Sequence, residues 1–171
     1  MKFVRTERRR SIVIGCALLW TVLAAIFLSH HVIGSGIVSG ESMAPTLAEG
    51  DRYLIHRWLM RIRDPVPGDI VVLRDPSIDE LAVKRVVAGP GARIQIIEGR
   101  LIVDGHPLAE ESGNAGKWTG PGFLKSAVYE IAPDCFFVMG DNRTNSYDSR
   151  HYGAVEKSDI YGYVLPAVTW P

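Results

Sequence analysis

From Ser11 to Gly40 the chain carries no Asp, Glu, Lys or Arg, and Ile12 to Leu28 is apolar apart from Gly15 and Thr21. A helix needs roughly 20 such residues to cross the hydrocarbon of a bilayer. The competing reading is a cleaved targeting segment, but its apolar part usually runs to only about 7–15 residues, so the length favours an uncleaved anchor. Lys2, Arg5, Arg8, Arg9 and Arg10 precede the run against a single acid, Glu7. Basic flanks stay cytoplasmic. The predicted organisation is a basic cytoplasmic tail over 1–10, a single-pass anchor over 11–33 in the cytoplasmic (inner) membrane, and an extracytoplasmic domain over 34–171.

That domain is long enough for a core of its own. Hydrophobic residues make up 47% of the 171 and charged residues 22%, with net charge zero. Nothing in that balance provides an electrostatic footprint for nucleic acid. Cys16 lies in the apolar run and Cys135 far from it, so the fold is expected to rest on its core and not on a disulfide. Short β-type runs follow one another at 51–55, 69–73, 81–87, 94–97, 101–103, 128–131, 135–139 and 160–165, separated by Gly/Pro turns. Glu98-Gly99-Arg100 reads as a hairpin turn. Beyond the anchor no segment has sustained helical periodicity. The fold class is therefore mainly β, a compact coiled sheet or partial barrel with one N-terminal transmembrane helix. Residues 109–127 read as a Gly-rich surface excursion.

Chemistry concentrates in three segments. Gly40-Glu41-Ser42-Met43-Ala44-Pro45-Thr46-Leu47 sets a serine in a turn just beyond the anchor. A serine needs a group to take its proton. Five histidines, His30, His31, His56, His106 and His151, keep a Ser-His-Asp arrangement open, because such triads are assembled in space. Lys84 is the other candidate. On a strand it shares a face with Ala82, Val86 and Ala88. A lysine is a base only when neutral, and at a pKa of about 10.4 very little is neutral at pH 7. Desolvation lowers that value. An edge-strand lysine with a solvated head is the competing reading. The third segment, Gly140-Asp141-Asn142-Arg143-Thr144-Asn145-Ser146-Tyr147-Asp148-Ser149-Arg150-His151-Tyr152-Gly153, is dense in polar groups and directly follows an apolar strand.

These three segments, with Gly68-Asp69-Ile70-Val71-Val72-Leu73 between the first two, occur in the order found in bacterial type I signal peptidases (leader peptidases), and the chain resembles that family over essentially its whole length. The resemblance implies a membrane-anchored Ser-Lys serine endopeptidase that removes signal peptides after a small-x-small site. It implies Ser42 as nucleophile and Lys84 as general base. Ser146 matches the serine that orients the lysine. Asp141, Arg143, Asp148 and Arg150 match residues that shape the site, a role compatible with salt bridges that simply hold the loop. Substrate and oxyanion contacts fall to Gly40, Glu41, Met43, Ala82 and Val83. Neither a metal nor a cofactor is implied. The implied partners are signal-peptide-bearing preproteins and the lipid bilayer, with no nucleic acid and a monomeric enzyme.

Two positions depart from the pattern. Gly40 stands where some members have a serine whose hydroxyl assists the oxyanion hole, and Ala92 where Asp is usual. The first shifts more of the oxyanion hole onto backbone donors such as the Ser42 N–H; the second affects a turn. Arg57-Trp58-Leu59-Met60-Arg61-Ile62-Arg63 suits either a bilayer interface or a solvated basic loop, and Trp170 reads as packing on the domain. Two further functions compete with general signal-peptide processing. One is a specialised conjugative-transfer or pilin-processing peptidase of the same chemistry. The other is an inert membrane-anchored β module that binds peptides.

Overall fold

The structure is a computed structural model that describes residues 2–97, 100–108 and 128–165. A helix, α1 (Lys2–His31), leads into eleven strands: β1 (Ile33–Ile37), β2 (Arg52–His56), β3 (Ile70–Arg74), β4 (Leu81–Ala88), β5 (Arg93–Ile97), β6 (Arg100–Val103), β7 (His106–Pro107), β8 (Tyr129–Glu130), β9 (Cys135–Met139), β10 (Val155–Glu156) and β11 (Ile160–Val164). A four-residue helix, α2 (Ser149–Tyr152), precedes β10. The expected mainly-β class holds. The chain forms a seven-stranded sheet, ordered β1-β2-β11-β3-β4-β9-β10, and a four-stranded sheet, ordered β7-β6-β5-β8.

Alternation dictates how the large sheet is covered. Val71 and Leu73 point to one side with Val86, Phe136, Val138 and Tyr163. Val72 points to the other, with Val38, Met43, Leu47, Tyr53 and Ile55. A third cluster, with Ile94, Ile96, Ile131 and Phe137, joins the small sheet to β4 and β9. Register shifts between Ile160 and Gly162 on β11 and between Val86 and Ala88 on β4 bend the large sheet, as bulges do, and it curls into a half-barrel. The curl brings the segment after β1 opposite the first half of β4. β9 pairs with β4 only from Arg85 onward, so among the described strands Leu81–Lys84 is paired on one side only, with β3.

The structure differs from expectation in three places. β1 was not expected, because Ile33-Gly34-Ser35-Gly36-Ile37 has two glycines; the register on β2 explains them, since a Cβ at Gly36 would collide with the Tyr53 ring. β10 and α2 were not expected either. The expected transmembrane helix is the third. Among the described residues no helix is long and apolar enough to cross a membrane. The first third of α1 carries Lys2, Arg5, Glu7 and Arg8–Arg10, and charged side chains are costly inside the hydrocarbon. The turn at Glu98-Gly99, the 109–127 segment and Trp170 lie outside the described residues.

Candidate active site

β1 ends at Ile37, and the chain then folds into a tight turn over Glu41–Thr46. Gly40 enters this turn at φ +84° with nothing within 4 Å of its missing Cβ. Glycine is there for its backbone conformation and not for space, which accounts for the departure at this position. Inside the turn Ala44 N–H donates to the Glu41 carbonyl at 3.1 Å and Leu47 N–H to the Met43 carbonyl at 2.9 Å. Met43 and Leu47 anchor the turn in the core at 1% and 3% exposure, leaving Ser42 half-buried at a cleft.

β4 supplies the amine. Lys84 pairs with Val71 across the β3–β4 ladder and so faces the same side as Val71 and Val86. It is 4% exposed. Its Nζ lies 3.2 Å from Ser42 Oγ and 3.3 Å from Ser146 Oγ. The solvated edge lysine is therefore not what the fold contains. Burial pushes the Lys84 amine below its usual value; the carboxylates of Asp148 and Asp75 pull it back up, and Arg150 pushes it down again. Two neutral hydroxyls stabilise an ammonium far less than a carboxylate does, so these contacts do little to offset the downward shift.

The loop after β9 behaves differently. Asp148, fully buried, accepts from Arg150 Nε and NH2, both at 2.8 Å, and from the Gly140 N–H at 3.0 Å. Burial raises its carboxyl, but the bonds and charge of Arg150 outweigh that and hold it below the ordinary carboxylate value. Arg150 also donates to the carbonyls of Arg143 and Ser146, at 2.6 and 3.3 Å. Asp141, also fully buried, takes a two-pronged contact from Arg85, with both bonds at 2.7 Å. Arg143 is half-buried, with NH1 3.2 Å from Met139 Sδ, and burial followed by the Arg150 charge lowers its pKa. Gly140 is glycine because a Cβ there would collide with Ser146 Oγ and the Ser42 carbonyl. The loop thus packs its backbone directly against the serine turn.

A cleft of about 570 Å³ opens above Ser42 and Lys84, walled by Ile37–Ser39 on one side and Leu81–Val83 on the other. Of the residues expected around substrate, Met43, Ala82 and Val83 line it; Gly40 and Glu41 do not, and Glu41 points outward, its carboxylate 3.3 Å from Asn145 Nδ2. Among the histidines, His56 caps the following turn by accepting from Leu59 N–H, and His151 stacks on Tyr147; neither lines the cleft. Sequence reasoning missed Asp75. It is 4% exposed, lines the cleft, and accepts through Oδ1 from both the Ser77 N–H and the Ser77 hydroxyl. Continuing the alternation of Val71 and Leu73 by one step places Asp75 on the Lys84 face, a signal available in the sequence. Asn142 was also missed; it contacts the serine turn through both backbone and side chain. Among the described residues no cluster of His, Cys, Asp and Glu is arranged to hold a metal.

A half-barrel sheet with an open, edge-walled cleft, a serine hydroxyl and a buried amine at its floor defines a hydrolase-like layout. Comparison with known proteins gives the family. The chain belongs to the signal peptidase family, peptidase S26, whose family model matches residues 10–169. It is 33% identical to a signal peptidase I of Leptolyngbya laminosa, over 88% of this chain and 75% of that one. It is also 33% identical to signal peptidase I V of Bacillus subtilis, over 86% of this chain and 92% of that one. A solved signal peptidase I from Enterococcus faecalis aligns at a TM-score of 0.48 with 23% identity, covering 60% of this chain and 98% of that one.

Proposed function

We propose that the chain is a membrane-anchored serine endopeptidase that removes signal peptides from exported preproteins, with Ser42 as nucleophile and Lys84 as general base. The observation that carries this reading is the pairing of a 4%-exposed amine with the Ser42 hydroxyl at 3.2 Å. Neutral Lys84 takes the proton from Ser42 Oγ as that oxygen bonds to the scissile carbonyl carbon. The tetrahedral intermediate collapses as the C–N bond breaks, and the Lys84 ammonium returns the proton to the leaving amine. Lys84 then takes a proton from a water that attacks the acyl-enzyme, and Ser42 leaves with that proton. Ser146, 3.3 Å from Nζ, holds the amine in register. Asp141, Arg143, Asp148 and Arg150 hold the loop that carries Ser146.

An extended substrate fits between Ile37–Ser39 and the one-sided edge of Leu81–Lys84, adding a strand to β4. Met43, Ala82 and Val83 contact its side chains, which favours small residues beside the scissile bond. The membrane assignment rests on the charge-free run from Ser11 to Gly40, the basic cluster before it, and the exposure of the apolar side chains at 13–27. The tail at 1–10 is cytoplasmic, 11–33 is the anchor, and 34–171 is outside. Ser42 follows Leu28 by fourteen residues, so the cleft works close to the outer leaflet, where tethered substrates are concentrated. Trp58, Arg61 and Ile62, on a turn with no buried residue, touch that leaflet.

The test is cleavage of a preprotein by the full chain in detergent or vesicles, comparing wild type with Ser42→Ala, Lys84→Ala and each His→Ala. Cleavage abolished in the first two and kept in all the histidine variants supports the reading. Cleavage that survives Lys84→Ala and is lost in one histidine variant sinks it.

A further inference from the structure

The loop after β9 grips the serine turn at two successive carbonyls. Asn142 N–H donates to the Ser42 carbonyl at 3.0 Å. Asn142 Nδ2 donates to the Glu41 carbonyl at 3.2 Å. The Glu41 carbonyl also accepts from Ala44 N–H, so it is held from both inside and outside the turn. The Thr144 hydroxyl donates to Asn142 Oδ1 at 3.1 Å. That bond occupies the acceptor end of the amide and leaves the NH2 end for Glu41, which fixes the orientation of the side chain.

The consequence concerns the peptide between Glu41 and Ser42. It is trans, and in a planar trans peptide C=O and N–H point opposite ways. Drawing the Glu41 carbonyl toward the loop turns the Ser42 N–H away from it. Among the described residues that N–H donates to no protein group. Position 40 contributes no hydroxyl, and φ +84° there disfavours any side chain that would bring one. The direction of this one backbone donor therefore matters more than it does in a site with a second, side-chain donor.

We propose that Asn142 is a positioning residue for the oxyanion donor: by holding the Glu41 carbonyl, its side-chain amide aims the Ser42 N–H at the charge that develops on the substrate carbonyl. The inference rests on Ser42 being the nucleophile. Asn145, three residues on, is the built-in contrast. It reaches Glu41 through the side-chain carboxylate at 3.3 Å, and that bond leaves the peptide plane alone.

The experiment uses the full chain in lipid–detergent micelles with a preprotein substrate and, as a probe, a peptide aldehyde that forms a tetrahedral adduct with a nucleophilic serine. Losing an oxyanion donor outright lowers kcat about 10²–10³-fold, so misaiming one is expected to lower it about 10–100-fold. Asn142→Ala is expected to show that loss in kcat with little change in KM, to weaken the aldehyde by the same factor, and to leave the acid limb of the pH–rate profile in place. Asn145→Ala is expected to keep kcat near wild type. Thermal unfolding of each variant fixes the folded fraction to which kcat refers. Wild-type kcat and aldehyde affinity in Asn142→Ala overturn the inference, as does an equal loss in Asn145→Ala or a loss confined to KM. Ser42→Ala and Lys84→Ala in the same series separate the two layers. Cleavage persisting in either overturns the nucleophile reading itself; cleavage abolished in both, with Asn142→Ala unimpaired, overturns only the role of Asn142.

Discussion

Two basic side chains lie close together in this molecule, almost equally buried and oppositely provided for. Arg150, 3% exposed, is clamped by the Asp148 carboxylate at two points and by two carbonyls. Lys84, 4% exposed, meets among the described residues two hydroxyls, at 3.2 and 3.3 Å. Guanidinium keeps its charge under any such conditions, and its planar fork matches a carboxylate; an ammonium is a point charge that burial readily neutralises. The loop around Arg150 uses ionic groups to hold shape. Among the described residues the pocket around Lys84 places no carboxylate in hydrogen-bond contact with the amine, which suits the role of base proposed for it. The contrast is local, since Asp148 anchors Arg150 and also exerts its field on Lys84.

The largest effect is expected from removing the Lys84 amine while keeping the volume of its side chain. Lys84→Met is expected to lower cleavage by roughly 10⁴-fold, the scale on which a nucleophile's partner group acts. It is also expected to stabilise the fold at pH 7. An amine whose folded pKa lies below its unfolded one binds fewer protons when folded, so stability rises with pH between the two values and is lowest where the amine is charged. Methionine removes that penalty. A rise of about 2–4 °C in Tm corresponds to each ~1 kcal/mol in a chain of this size; thermal unfolding checks it, and a fall in Tm contradicts it.

The partner prediction reverses the sign. Asp148→Asn leaves Arg150 buried without its counter-charge and is expected to cost about 3–5 kcal/mol in denaturant unfolding. Because the folded Asp148 carboxyl titrates below its ordinary value, its contribution is present above the unfolded pKa and is lost as pH falls through the folded one. Acid unfolding of wild type is therefore expected to steepen below about pH 4, the ordinary carboxyl value, and the Asn variant to have a flatter limb. The smallest effect belongs to Asp75, which raises the Lys84 pKa across the cleft along with Asp148, against burial and Arg150. Asp75→Asn is expected to move the acid limb of kcat/KM to lower pH. A shift to higher pH contradicts the assignment of its field.

Strand identity was legible where a short apolar run is bounded by turns. β3 and β9 are apolar almost throughout and β4 is apolar apart from Lys84 and Arg85, and their observed limits fall within a residue of those read from the pattern. β1 was not legible, because its Gly34 and Gly36 are set by what lies across the ladder, the Arg57 and Tyr53 side chains. α2 was not legible either: four residues show no period, and the cap that starts it, Asp148 with His151, reads equally well as polar loop. Ser42, Lys84 and Ser146 were named from motif order, yet no sequence argument measures the distances among them. Asp75 was within reach by extending one alternation. Asn142 was not, since its partners Glu41 and Ser42 lie a hundred residues away and the contact is to their backbone.

For Ser42 to react as proposed, Lys84 must be neutral, and a titration of that one amine decides the point. NMR of the full chain in micelles, with ¹³C-labelled lysine and Lys84→Met to assign the missing resonance, follows the Lys84 Cε signal against pH. A midpoint below the ordinary lysine value of 10.5, coincident with the acid limb of kcat/KM, is the expected result. A midpoint at or above 10.5, with cleavage already complete at lower pH, would contradict Lys84 as the base.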